Sequence, residues 1–399
     1  MSNQVDFKAE GEALREQLVA WRRDFHMHPE LGFQEHRSAR VIARRLRELG
    51  YQVQTGVADT GVVGLLEGRR LGPVVMARFD MDALPITEEN EADYASQNPG
   101  VMHACGHDGH MAIGLGVATL MTQHRDEMAG TLKLIFQPGE ESANGAEAMV
   151  EEGVLENPRP DVFLAAHVWN EKQVGTIDVT PGAVMAAAEK WTCTVRGKGG
   201  HGALPHQTAD PIVATAQIVT ALQTVVSRNI SPQEMAVVSV GTVHGGDAFN
   251  VIPSQVETSG TIRTYSPQVR ETVLQRVREV IEGVAAACGA EAELEIIPLT
   301  PAVINDAGIA EVVRAAAEVV VGLENVSSDV RTMGSEDAAF FIQEVPGCYF
   351  FLGSANAERG LDAPHHNSRF DFDEGALPLG VAVMMQALAH HLLGRAEEE

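Results

Sequence analysis

The feature that most constrains this chain is an alternation of short apolar runs with longer helical ones, broken once in the middle and then resumed. The short runs are Tyr51–Gln54, Gly61–Glu67, Pro73–Phe79, Thr131–Phe136 and Asp161–Ala166. They have strand length and are bounded by Gly, Pro or Asp. Residues 8–27 carry helical spacing, with Leu14, Leu18 and Trp21 on one stripe and Pro29 and Gly32 as the break. Residues 35–49 predict a second, Arg-rich amphipathic helix stopped by Gly50, and Met111–Met121 a third made of small residues. Strands alternating with helices predict an α/β domain with a largely parallel or mixed sheet.

Near residue 187 the texture changes. Glu189–Arg196 alternates in polarity, a Gly197-Lys198-Gly199-Gly200 loop follows, and Asp210-Pro211 caps a helix over 210–228. Two strands (Ala236–Val243, Val256–Thr264), a long amphipathic helix over 267–288 and a last strand Glu291–Ile297 complete the segment. The order β-α-β-β-α-β predicts an α+β unit of ferredoxin-like type. After Pro301 the first texture returns, ending in a helix over 375–394 and a frayed Glu-rich end. The chain of 399 residues therefore reads as two domains: a discontinuous α/β domain (1–186 and 298–399) and an inserted domain (187–297).

Charge narrows the function. Lys plus Arg number 29 against 55 Asp plus Glu, a net charge of -26. Neither nucleic acid nor an anionic membrane surface suits such a chain. Four cysteines without a CxxC pair predict no disulfide framework and a reducing, cytoplasmic setting. The polar, acidic N-terminus lacks the features of a signal peptide, and no apolar run approaches the ~20 residues of a membrane span.

Chemistry concentrates in a few segments. Val101–His110 sets Cys105 beside His103, His107 and His110 in a Gly-containing loop ahead of a helix. A thiolate and an imidazole two residues apart can reach one ion, and soft sulfur with imidazole suits Zn, Ni, Co or Mn. A buried structural cysteine is the plainer alternative, and a nucleophile with His107 as its base is another. Gln137-Pro138-Gly139-Glu140-Glu141 follows an apolar strand. Adjacent carboxylates point to opposite faces of a regular strand, so the Pro138-Gly139 break is needed for both to serve one site. His167 is expected at the end of the strand Asp161–Ala166, and His365-His366 lies near the C-terminus. Together these supply N, O and S donors for one or two ions. The carboxylates of Arg78-Phe79-Asp80-Met81-Asp82 can orient a ligand histidine from behind.

From His26-Met27-His28-Pro29-Glu30 to the C-terminal helix, these segments in this order resemble the metal-dependent aminoacylase/carboxypeptidase family of peptidases, in its amidohydrolase branch. The resemblance implies a zinc-peptidase-like catalytic domain with a mixed sheet, and an inserted lid and dimerisation domain. It implies two divalent ions (Zn, Mn, Co or Ni) held by Cys105 as the bridge and by His107, Glu141, His167 and His366. Glu140 would be the general base. The pattern His-x-x-x-aromatic-Asp-Phe selects His366, through Phe370, Asp371 and Phe372, with Ser368 where the family has proline. Where other branches carry a ligand histidine two residues before the aspartate, this chain has Arg78, which the resemblance leaves off the metal.

In the inserted domain, Gly199–His206 resembles the family's lid motif, and its His201 would reach an active site, that of the partner subunit, and polarise the scissile carbonyl or hold the oxyanion. Asn250, within Phe249–Pro253, and Arg263 would bind substrate, the guanidinium suiting a free carboxylate. The implied reaction is metal-assisted hydrolysis of an N-acyl amino acid by a homodimer or higher homo-oligomer assembled through the lid. A dipeptidase, aminopeptidase or carboxypeptidase of the same family is the nearest alternative. A cysteine-nucleophile hydrolase and a non-catalytic metal-binding protein are further ones.

Overall fold

A computed structural model describes residues 5–393. The Glu-rich end expected to fray lies outside the described residues. The chain divides into two compact units. The first comprises the chain up to Val184, Ile304–Arg331 and the chain from Asp337 onward; the second is Met185–Val303 with Thr332–Glu336.

The first unit is built on an eight-stranded mixed sheet. Its strands β1 (Gln52–Val57), β2 (Gly61–Glu67), β3 (Arg70–Asp80), β4 (Ala129–Gln137) and β5 (Val162–Gln173) follow the predicted apolar runs. Edge to edge the order is β1-β2-β4-β3-β5, then Gly347–Ala355, Ile177–Asp178 and Val326–Ser327. β3 runs parallel to both β4 and β5, and Gly347–Ala355 runs parallel to β5. The helices α1 (Phe7–Ala13), α2 (Arg15–Met27), α3 (His36–Glu48) and α4 (His107–Gln123) belong to the same unit. Past its polar first turn α4 is largely apolar, and it is buried from His107 to Ala118, the pattern of a helix enclosed by protein. It lies so close to the sheet that a Cβ on Gly114 would stand 2.7 Å from the rings of Phe79 and Phe136.

Three sequence expectations shift. Residues 8–27 form two helices, not one, because the backbone resets at Leu14. α4 begins at His107, four residues before Met111, because Gly106 takes φ 89° and the His110 amide closes a turn on the Gly106 carbonyl. β5 does not stop at His167 but continues to Gln173. Its partner strand explains the extension: Phe351 pairs with His167 and Gly353 with Trp169. That partner is remote in sequence and leaves no local signal.

The second unit is a four-stranded antiparallel sheet in the order Ala236–His244, Gln255–Thr264, Ala187–Arg196, Glu291–Thr300. The helices Pro211–Asn229 and Pro267–Ala287 pack on it around Trp191. Val269, Val273, Val277, Ile281 and Ala285 recur every fourth residue and form the buried stripe of the second helix. Asp210 and Ser266 cap the two helices, their side chains accepting amide N–H bonds from the first turn. No helix among the described residues is long and apolar enough to cross a membrane.

Candidate metal centre

The donors named from the sequence converge within the first unit. In one trio, Cys105, His107 and His167 offer ligand atoms within 4.8 Å of one another; in a second, Cys105, Glu141 and His366 do the same. Cys105 belongs to both. Its Sγ lies 3.4 Å from His167 Nε2. His366 Nε2 lies 3.0 Å from Glu141 Oε1. His107, Glu140 and Glu141 form a further trio.

Local backbone geometry builds this arrangement. Gly106 has a left-handed φ of 89°, and a Cβ there would meet Val168 Cγ2 at 2.3 Å, so the turn between the two donors requires glycine. His366 itself is held at φ 65°, a conformation costly for a side-chain-bearing residue. Its amide donates to the Ala104 carbonyl at 2.8 Å, which docks the C-terminal segment onto the cysteine loop. The neighbouring His365 is engaged elsewhere. Its Nε2 accepts from the Asn170 amide at 3.2 Å, with Nδ1 3.7 Å from Cys105 Sγ. Of the two, His366 and not His365 falls in a donor trio among the described residues.

Divalent cations fit these donors. His107 is fully buried, its Nδ1 donates to the Asp82 carbonyl at 2.8 Å, and its Nε2 has no hydrogen-bond partner. A buried imidazole lone pair fixed from behind and left unpaired in front is the arrangement of a metal ligand. His167 donates from Nδ1 to the Val168 carbonyl, which directs its Nε2 lone pair toward Cys105. Burial opposes charge on the His107 ring, but Asp80, Asp82 and Glu141 outweigh it and hold the ring at about 10. Such a negative potential attracts cations. Burial, then the charges of Glu141, Glu140 and Asp80, push the Cys105 thiol well above its ordinary range. A lone Cys105 is thus a poor nucleophile, whereas a bound cation would release its proton.

Asp80 takes a supporting place. Its Oδ2 accepts from Arg78 NH1 at 2.6 Å, and its Oδ1 accepts from His110 Nδ1 at 2.5 Å. His110 Nε2 in turn accepts the Val168 amide at 2.9 Å. Asp80, His107 and His110 also lie close enough to hold an ion, but these protein hydrogen bonds already engage Asp80 and both nitrogens of His110. Arg78, at 1% exposure, binds Gln137 and Asp337 as well and is a buried cation.

Sequence reasoning passed over Glu35, and it named Asp82 only as one carboxylate of its segment. Asp82 accepts from the amides of both Glu140 (3.1 Å) and Glu141 (2.9 Å) besides steadying His107. Glu35 accepts from the Gly139 amide. His103 is buried with neither ring nitrogen hydrogen-bonded, and it belongs to none of the donor groups found among the described residues. The His26 motif forms a buried ion network behind α4: His26 Nδ1 lies 2.7 Å from Asp108, which Arg22 also binds at 2.7 Å. Local sequence carries no signal for these pairings.

The remaining expected residues belong to the second unit. His201 pairs with Val251 in a two-stranded ribbon, and the Gly202 amide donates to the Asn250 carbonyl at 2.8 Å. His201 and Asn250 are exposed, while Arg263 is half-buried and donates to Ser335 Oγ at 2.8 Å.

Residues 76–390 match the family model described as Peptidase family M20/M25/M40. The chain belongs to the M20 peptidase family. N-acetylcysteine deacetylase of Bacillus subtilis (strain 168) is 40% identical over 368 residues, covering 92% of this chain and 94% of that one. N-acyl-L-amino acid amidohydrolase of Geobacillus stearothermophilus is 45% identical over 277 residues, 69% of this chain and 74% of its own. The crystal structure of the YXEP protein of Bacillus subtilis, a dinuclear metal binding peptidase from the M20 family, matches with a TM-score of 0.82 at 35% identity, covering 94% of this chain and 98% of that one. This M20 protein is accordingly a hydrolase of amide bonds, in the amidohydrolase branch, and its α/β fold with a small antiparallel inserted domain is the M20 fold.

Proposed function

We propose that this M20 hydrolase cleaves N-acyl amino acids, releasing a carboxylic acid and a free amino acid. The observation that carries the reading is the sharing of Cys105 between two donor trios, with Glu140 grouped beside His107 and Glu141. Cys105, His107, Glu141, His167 and His366 hold two divalent ions, drawn from Zn, Mn, Co and Ni. Bound there, such ions polarise a scissile carbonyl and make water nucleophilic at neutral pH.

The chain's own groups do the rest. Glu140 takes the proton of the attacking water and returns it to the leaving amine. Asp82 fixes His107 and the backbone of both glutamates, and Asp80 braces His110. In the inserted unit, a lid and dimerisation domain, His201 supports the oxyanion, and Asn250 and Arg263 bind the substrate, with Arg263 on its free carboxylate. Support for the acyl amino acid comes from the relatives named for that chemistry. Exposed Ile212, Val213 and Val243 on the inserted unit support homodimerisation through that unit. Four cysteines, none in a disulfide, support a cytoplasmic setting.

The test is a panel of N-acetyl, N-benzoyl and N-indolylacetyl amino acids beside unblocked dipeptides, run with each metal after chelation. We expect turnover of N-acyl amino acids, abolished by chelation and restored by metal. Turnover confined to dipeptides would replace this reading with a peptidase. In Glu140→Gln, kcat should fall by about 10²–10⁴-fold with metal content unchanged.

A further inference from the structure

Glu140 and Glu141 are neighbours in sequence, and only a backbone that leaves the strand can aim both at one site. The structure shows what fixes that departure. Three successive amides, those of Gly139, Glu140 and Glu141, each donate to a buried carboxylate. Asp82 takes the second and third. Glu35, from the residue that precedes α3, takes the first with Oε1 at 2.9 Å. Its Oε2 accepts from Thr60 Oγ1 at 2.5 Å, at the turn between β1 and β2.

The surroundings are built for the same contact. Gly139 is left-handed at φ 61°, and a Cβ there would stand 2.9 Å from the Phe33 ring. Phe33 is itself left-handed at φ 60°, so the segment that delivers Glu35 also covers the turn. Glu35 is wholly buried. Burial, with Asp82 nearby, raises its carboxyl to about 7 despite the bonds from Thr60 and Gly139. A glutamine of equal length offers an acceptor to Gly139 without burying a charge, so the ionised form is not the stability optimum.

We propose that Glu35 is a positioning residue for hydrolysis: through the Gly139 amide it holds the turn that directs Glu140 and Glu141 to one site. The proposal rests on the reading of Glu140 as base and Glu141 as ligand. Reach and charge are separable. Glu35→Asp keeps the charge but is one carbon short of Gly139; Glu35→Gln keeps the reach and loses the charge.

Kinetics on the best substrate of the panel, and Zn affinity of the apo-proteins by chelator competition, test it. In Glu35→Asp and Glu35→Ala, kcat should fall by about 30–100-fold with KM within about 3-fold, since small misplacements of catalytic groups cost this much. Zn affinity should fall with it, because Glu141 is freed by the same change. Glu35→Gln should stay within about 5-fold of the parent in both. If Glu35→Ala does not fold, the Asp and Gln pair decides. Parent-like kcat and Zn affinity in Glu35→Asp would overturn the proposal, as would a Gln variant as impaired as Asp. Glu140→Gln runs alongside. If it keeps parental kcat the base reading falls, while the Zn affinities still judge Glu35.

Discussion

Glu35→Gln has a second consequence, in stability, whose sign and size follow from the structure. The Glu35 carboxyl has an ordinary value of 4.5 in the unfolded chain and about 7 in the fold. Between these values the folded protein keeps a proton that the unfolded chain gives up, so stability falls as pH rises through the interval. The loss is complete above about pH 7 and absent below about pH 4. At 1.36 kcal/mol for each pH unit, it amounts to about 3 kcal/mol. Glutamine cannot ionise, so the variant escapes this loss. Its stability relative to the parent should therefore rise by about 3 kcal/mol from pH 4.5 to pH 8, whatever its constant offset. Asp82 is the charged group that bears on Glu35, and it is present in both proteins. The assay is urea unfolding of the apo-proteins at the two pH values. A Trp191→Phe background leaves Trp21 and Trp169, both in the first unit, as reporters of that unit. A relative stability constant to within about 0.5 kcal/mol would show that burial does not dominate this carboxyl. A fall with pH would show that the hydrogen bonds to the ionised form outweigh the cost of burying it.

Gly106→Ala adds left-handed strain to a clash with Val168, and should destabilise by about 2–4 kcal/mol. Val168→Ala in the same chain should recover the steric part, which denaturation of both variants measures. Arg78→Met leaves Asp80, Gln137 and Asp337 without their buried cation, and about 3–5 kcal/mol of stability should go with it in the same experiment. After chelation, Cys105 should react with iodoacetamide at pH 7 more slowly than a free thiol, because its pKa is raised, and bound metal should protect it further. Peptide mass spectrometry reads both, and a fast-reacting apo-protein would restore the nucleophile reading of Cys105.

What the sequence revealed followed from adjacency. Cys105 and His107 share one loop, Glu140 and Glu141 one turn, and residue type and spacing were enough to mark them. The Pro138-Gly139 break was legible too, because two adjacent carboxylates cannot otherwise share a site. Of the supports, only the carboxylates of the Arg78–Asp82 segment were legible. Glu35 and Gly139 lie 104 positions apart, and Arg78 and Asp337 lie 259 apart, so nothing local announces either bond. The same reason explains His167. The apolar run ends just before it, but pairing with Gly347–Ala355 carries the strand on to Gln173. Leu14 shows the reverse limit: an unbroken apolar stripe concealed a reset of the backbone that periodicity does not register.

The docking of His366 on the Ala104 carbonyl bears on how the protein comes into being. A ribosome completes the thiol and imidazole of the Cys105 loop long before it reaches the segment that closes over them. The φ 65° strain at His366 is offset by a contact with the Ala104 carbonyl, remote in sequence. The trio of Cys105, Glu141 and His366 therefore draws on three segments far apart in the sequence, and it is complete only when the last of them has docked.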